Sequence, residues 1–226
     1  MKSEFISLAS HQLRTPLSMI SWYVELLQTD DHEKLSETQQ SYVAEMSLAS
    51  QRMARLIDAL LRVSKLEGGG VTPVDQEIDL AMLVRDVAED ERSLAKDRKI
   101  SMELRLPQAL SVATDPTLVQ IILHNIISNA VKYSEEGDAI MVQLAQEGEH
   151  IIVTVQDIGI GIPQAEQKYL FTRLFRASNA TKTDTTGSGL GLYISRMISE
   201  QLKGRISFRS TEGEGSTFIF ELPLKK

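Results

Sequence analysis

The feature that most constrains this chain is where its glycines are not. None of its 13 glycines falls in the first 67 residues, and the same stretch holds one proline, Pro16. Apart from that proline, such a segment lacks the residues that break helices. Its apolar residues recur at helical spacing, first as Phe5, Leu8, Met19 and Leu26, with Gln12 as an exception. A second series runs Tyr42, Met46, Ala49, Met53, Leu56, Leu60 and Val63. The polar run Gln28 to Lys34 separates them. This predicts a helical hairpin over 3–28 and 37–67. Two helices cannot enclose a core alone, whereas two hairpins make a four-helix bundle, so a homodimer is the economical solution. Met19, Met46 and Met53 are then bundle core. The alternative is a hairpin packed on the rest of its own chain.

Gly68-Gly69-Gly70 followed by Val71-Thr72-Pro73 ends the helical part. The reading is therefore a first domain over 1–67, a linker over 68–74 and a second domain over 75–226. In the second, Asp79 caps a helix to about Asp97, and Asp115-Pro116 opens another that continues to Tyr133. Ile100–Leu106, Ile140–Leu144 and Ile151–Val155 read as strands. Pro163 opens a short helix, 176–188 is a long polar loop, and Leu190–Leu202 is helical. Arg205–Arg209 and Thr217–Leu222 form a last hairpin. Helices mixed with antiparallel strands make an α+β sandwich.

Composition excludes several functions. With 31 acidic and 24 basic residues the net charge is -7, which argues against a nucleic-acid binder. Cysteine is absent, which removes disulfides, thiol catalysis and thiolate metal sites. No apolar run approaches the roughly 20 residues that span a bilayer, so no membrane contact is expected within this chain and its character is cytoplasmic.

Three clusters in the second domain could carry chemistry. Asn125, Asn129 and Lys132 recur at helical spacing, so two amides and an ammonium share one face, a set that suits a hydrated Mg²⁺ bridging phosphates. A solvated polar face is the plain alternative. Asp157-Ile158-Gly159-Ile160-Gly161 follows a strand, with glycines that admit close backbone approach and a carboxylate able to accept from an adenine amino group. The plain alternative is a glycine-rich turn. Gly187-Ser188-Gly189-Leu190-Gly191 runs into a helix whose N-terminal N–H groups favour phosphate. It has neither the Walker ending nor the βαβ context of a dinucleotide site.

Taken in order with Ser10-His11-Gln12-Leu13-Arg14-Thr15-Pro16-Leu17, these clusters resemble the sensor histidine kinases of two-component signalling over nearly the whole chain. The resemblance implies a fold: a helical hairpin forming a dimeric four-helix bundle, then an α+β sandwich of the gyrase, Hsp90 and histidine-kinase ATPase type. It implies ATP-dependent phosphorylation of His11 and transfer to an aspartate on a response regulator receiver domain. It implies ATP with Mg²⁺, Asn125 as metal ligand, and Asn129, Lys132 and Tyr133 beside the nucleotide. Asp157 would read adenine, with Gly159 and Gly161 shaping the pocket. Gly187, Gly189, Leu190 and Gly191 would end the ATP lid. Phe171 and Arg176 would begin and end the phenylalanine box, with Arg176 as a catalytic cation, and Thr172 and Leu174 there depart from the usual acid and aromatic. Members usually carry an input region before this core, so the chain is expected to be cytoplasmic or the cytoplasmic core of a longer membrane-bound sensor.

Gln12 departs from the acid that usually follows the phosphoacceptor. An amide cannot take a proton from the imidazole, yet neutral imidazole prevails above its reference value of about 6.5 and attacks through its lone pair. Slower or differently pH-dependent phosphorylation is expected. Thr15, one turn beyond His11, matches a position implicated in regulator dephosphorylation. Pro16 predicts a bend just after the phosphoacceptor. Two alternatives stay open: a phosphatase-dominant switch, and a non-catalytic ATP-binding dimeric scaffold. His32, His124 and His150 have no metal-ligand partner at suitable spacing.

Overall fold

The computed structural model describes Leu13 and residues 16–27, 35–68, 70–184 and 187–224. The chain divides into two compact units, Met1–Val71 and Thr72–Lys226. His11, Gln12 and Thr15 lie outside the described residues, as does the turn in which a bend at Pro16 was expected.

The first unit is helical over 16–27 (α1) and Glu37–Glu67 (α2). Ser36 starts α2 with a reciprocal cap: its Oγ accepts from Gln39 N at 3.3 Å, and Gln39 Oε1 accepts from Ser36 N at 2.8 Å. Leu17, Val24, Val43, Ile57, Val63 and Leu66 are buried. Met19, Met46 and Met53 are 54%, 44% and 50% exposed in the single chain, so the methionines expected in a bundle core are uncovered by their own hairpin. Trp22 and Tyr23 are exposed beside them, their ring centroids 5.1 Å apart.

The second unit is built on a five-stranded sheet ordered β2-β4-β5-β7-β6. The strands are β2 Ser101–Arg105, β4 Ala139–Glu147, β5 His150–Asp157, β6 Arg205–Thr211 and β7 Gly215–Pro223. Alternate residues point to one covered face: Ile140, Val142 and Leu144, then Ile151, Val153 and Val155, then Phe218, Phe220 and Leu222, all buried. Val153 faces Phe220 and Val142 faces Val155 across the ladders. Helices α3 (Leu80–Asp97), α4 (Pro116–Tyr133) and α6 (Gly191–Gln201) supply the other layer. Helix α4 lies between α3 and α6 and buries eight apolar residues from Leu118 to Val131. Burial at about 25 cal/mol per Å² of apolar surface is what fixes its rotation. That rotation leaves Asn125, Ser128, Asn129 and Lys132 half-buried.

The sequence reading of an α+β sandwich holds, with differences in detail. The pair β2–β4 is parallel, whereas only antiparallel pairing was expected. A separate ribbon pairs β1 (Gln76–Asp79) with β3 (Ser111–Thr114), two strands too short to show a period. The helix expected at Pro163 is a single 3₁₀ turn, Gln167–Tyr169. The expected loop 176–188 contains a six-residue helix, α5 (Ser178–Thr183). Two capping aspartates set the helix starts. Asp79 Oδ1 accepts from Leu110 N and Ala81 N, both at 3.0 Å, and these bonds, that from Leu110 foremost, hold its carboxyl below the usual value. Asp115 Oδ1 accepts from Leu118 N at 3.0 Å, while its Oδ2 accepts from Val74 N at 2.9 Å and so ties the incoming chain to the head of α4. Helices α3 and α6 both end with a lysine in the left-handed conformation, Lys99 at φ 56° and Lys203 at φ 59°. Ile100 N reaches Ala95 O at 2.8 Å, and Gly204 N reaches Ser199 O at 2.8 Å, which close the two ends. Among the described residues no helix is long and apolar enough to cross a membrane.

Candidate functional site

Asn125, Asn129, Lys132, Tyr133, Asp157, Gly161, Arg176, Gly187, Gly189 and Gly191 line one open cleft. Its back wall is the polar face of α4, where the spacing of Asn125, Asn129 and Lys132 places them in line. Asn125 Nδ2 donates to Gly191 O at 3.2 Å and to Ser195 Oγ at 3.0 Å. A Cβ on Gly191 would lie 3.1 Å from Asn125 Oδ1, so the glycine makes room for that carboxamide oxygen. Among the described residues there is no group of three His, Asp or Glu fit to hold a metal. The donors at this end are neutral carboxamides, hard oxygens that fit Mg²⁺ sharing its shell with water and phosphate.

Asp157 ends β5, where the glycine turn that follows it meets the last turn of α4, and is 5% exposed. Its Oδ1 accepts from Gly159 N at 3.0 Å and from Ser216 N at 3.1 Å. Both donors use one oxygen, so the second is the one left to a ligand. Burial raises this carboxyl from 3.8 to about 6, against the lowering effect of the two amides. Three glycines make the floor possible. A Cβ on Gly159 would come 2.1 Å from Tyr133 O, and one on Gly215 2.2 Å from Asp157 O. Gly161, at φ +59°, would place a Cβ 1.9 Å from Thr211 O. Gly159 thus packs the glycine turn against α4 and stands behind the wall. Leu190, 1% exposed, is a core side chain at the head of α6 and also stands behind it.

The third side is made by residues from Phe175 to Asp184 and from Gly187 to Gly191. Phe171 anchors it edge-on to Phe208 at 5.7 Å, and Phe208 stacks on Phe218 at 5.9 Å. Arg176, expected as a catalytic cation, is occupied by structure. Its Nη2 donates to Ala180 O at 3.2 Å and to Asp184 O, its side chain bonds Tyr133, and its guanidinium lies against Gly187. It fastens the end of α5 to the wall. Burial raises the Tyr133 hydroxyl above its ordinary value, with Arg176 opposing and Asp184 adding to the shift. Asn179, which the sequence reading missed, holds the start of α5: its Nδ2 donates to Gly161 O at 2.9 Å and Ile160 O at 3.3 Å. No sequence signal marks it, because its partners lie 18 and 19 residues away. Ser216, Ser195 and Gly215 were missed for the same reason. No side chain caps α6 among the described residues, and Gly191 and Leu192 at its start line the cleft.

Residues 114–226 match the family model described as Histidine kinase-, DNA gyrase B-, and HSP90-like ATPase, and residues 1–69 match the His Kinase A (phospho-acceptor) domain. The chain belongs to the sensor histidine kinases. This kinase core is 30% identical over 222 residues to the sensor-like histidine kinase SenX3 of Mycobacterium tuberculosis, covering 98% of this chain and 54% of that protein. It is 32% identical over 235 residues to the sensor protein GacS of Pseudomonas syringae, covering all of this chain and 25% of that protein. The kinase core therefore spans about half or less of the curated relatives it matches. Among solved structures, full-length ShkA in complex with AMPPNP superimposes with a TM-score of 0.79 at 26% identity, over 99% of this chain and 46% of that one. The catalytic domain of the histidine kinase ThkA gives 0.59 at 27% identity, over 67% of this chain and 96% of its own.

Proposed function

We propose that the chain uses ATP to phosphorylate His11 and passes the phosphoryl group to an aspartate on a response regulator. The observation that carries this is one cleft with two chemically distinct ends: the Asp157 carboxylate over a glycine floor, and the Asn125–Asn129–Lys132 face beside the head of α6. The ShkA structure, which holds AMPPNP, supports the nucleotide assignment. Asp157 accepts from the adenine amino group. Lys132 and the N–H groups at the head of α6 neutralise the phosphates. Asn125, with Asn129, would hold Mg²⁺, which when bound draws negative charge off the β- and γ-phosphates. Phosphoryl transfer needs chiefly position and charge neutralisation. A ring nitrogen of neutral His11 forms the P–N bond as the bond from the γ-phosphorus to the β–γ bridging oxygen breaks, and ADP leaves. Gln12 accepts from the other ring N–H and fixes the tautomer.

The exposed Met19, Trp22, Tyr23, Met46 and Met53 support a homodimer in which a second hairpin covers them. The Mg²⁺ site, the dimer and the individual residue roles belong to this proposal. Incubation with γ-labelled ATP tests it: the expected label is acid-labile and absent in His11→Ala, and label that survives in that variant would sink the assignment. Gln12 favours a second reading, a regulator phosphatase with weak kinase chemistry. There Gln12→Glu raises phosphorylation, and Thr15→Ala removes regulator dephosphorylation.

A further inference from the structure

The end of α4 is held from outside the cleft. A helix leaves its last carbonyls without partners in its own ladder, and α4 ends at Lys132 and Tyr133, both in the cleft wall. Every one of these carbonyls is nonetheless taken. Ala130 O accepts from Ser134 N at 3.1 Å and from Ser134 Oγ at 2.8 Å. Tyr133 O accepts from Ile160 N at 3.0 Å, in the glycine turn beneath Asp157. The remaining two, with the carbonyl of the cap residue Ser134, go to one side chain. Arg98 Nη1 donates to Val131 O and, at 2.8 Å, to Lys132 O, and Arg98 Nη2 donates to Ser134 O at 3.0 Å.

Arg98 is itself held in place. It is the C-cap of α3, and the next residue, Lys99, takes the left-handed conformation that turns the chain into β2. Around it the two turns are bonded together: Gly137 N donates to Lys99 O at 3.3 Å and Ser101 N to Asp138 O at 2.9 Å. A planar guanidinium can reach three carbonyls at once, and a charged donor makes a stronger bond than a neutral one. A cation at a helix C-terminus also meets the negative end of its dipole.

We infer that Arg98 is a positioning residue of the nucleotide site, fixing the last turn of α4 so that Lys132 and Tyr133 face the cleft. It touches no ligand and acts through the α4 backbone. The inference rests on the reading of Lys132 as a phosphate contact, and a double-mutant cycle separates the two. The full chain is titrated with AMPPNP and Mg²⁺ as parent, Arg98→Ala, Lys132→Ala and the double variant. Arg98→Ala is expected to weaken binding about tenfold, and less than about twofold further in the Lys132→Ala background, since coupled residues are not additive. Additive losses, or parent-like binding by Arg98→Ala while Lys132→Ala binds weakly, overturn the inference. Parent-like binding by Lys132→Ala overturns the phosphate role of Lys132, and the inference falls with it.

A stability loss alone is distinguished by Asp79→Ala, which removes the cap at the other end of α3 and leaves Arg98 in place. At matched melting temperature that variant is expected to bind like the parent, and equal weakening by both overturns the inference. If Arg98→Ala does not fold, Arg98→Lys carries the same cycle, since an ammonium keeps the charge without the fork. Amide exchange in free protein gives a readout apart from binding. Removing the guanidinium should speed exchange at Ser134 and Ile160, with the middle of α4 unchanged. Unchanged exchange at both amides also overturns it.

Discussion

Replacing Asp157 by asparagine should separate binding from stability in opposite directions. The carboxyl stands at about 6 rather than 3.8, chiefly through burial. A difference of about two units corresponds to about 3 kcal/mol opposing an ionised carboxylate in the folded chain. Because the folded value is raised, this group's contribution to stability is fully present below pH 3.8 and is lost as pH rises through about 6. Asparagine keeps an oxygen for Gly159 N and Ser216 N and carries no charge. The nucleotide-free variant should therefore melt at or above the parent at pH 8 and lose the parent's pH dependence between 4 and 6. Toward ATP the change is unfavourable, because an amide N–H₂ now meets the adenine amino group. Loss of a bond to a charged acceptor, about 1.5–3 kcal/mol, is about a ten- to 150-fold rise in Kd. Calorimetric titration with ATP at pH 8, beside a thermal melt, reads both. In the parent, affinity should also fall as pH drops below about 6. Unchanged affinity in the variant, or affinity lost only in proportion to melting temperature, would refute the reasoning.

Other substitutions test single features. Gly161→Ala should cost about 3 kcal/mol or more, since overpacking adds to the left-handed penalty, and urea unfolding measures it. Lys99→Gly should stabilise by about 0.5–1 kcal/mol by relieving a left-handed non-glycine residue, seen as a melting temperature a few degrees higher. Asn179→Ala should leave the melt within about 1 kcal/mol and raise KM for ATP several-fold, because it releases the start of α5. Gly191→Ala should weaken nucleotide binding more with Mg²⁺ than without it, as the new Cβ presses on Asn125 Oδ1.

What was legible in the sequence followed local rules. Asn125, Asn129 and Lys132 were found because a helix puts its third and fourth neighbours on the same face, and Asp157 because a strand ended in alternating glycines. The aspartate caps of α3 and α4 are local as well. What escaped depends on distant partners. The strands β1 and β3 hold four residues each and pair across more than thirty, and nothing in either names the other. The parallel pairing of β2 with β4 goes with the long crossover through α4 that joins them, which no single segment records. Helix α5 is too short for a period and is held by Arg176 and Asn179 at its two ends. The ends of α3 and α6, read at about Asp97 and at Leu202, fall at Asp97 and Gln201, although a lysine rather than a glycine takes the left-handed position after each.

The bond from Val74 N to Asp115 Oδ2 has a mechanical meaning. Helix α4 is 18 residues long, about 27 Å at 1.5 Å per residue. The polypeptide enters this unit at one tip of that rod, and Lys132 and Tyr133 sit at the other. The incoming chain is thus fastened at the tip of α4 remote from those two residues, by the Asp115 carboxylate and then by the β1–β3 ladder.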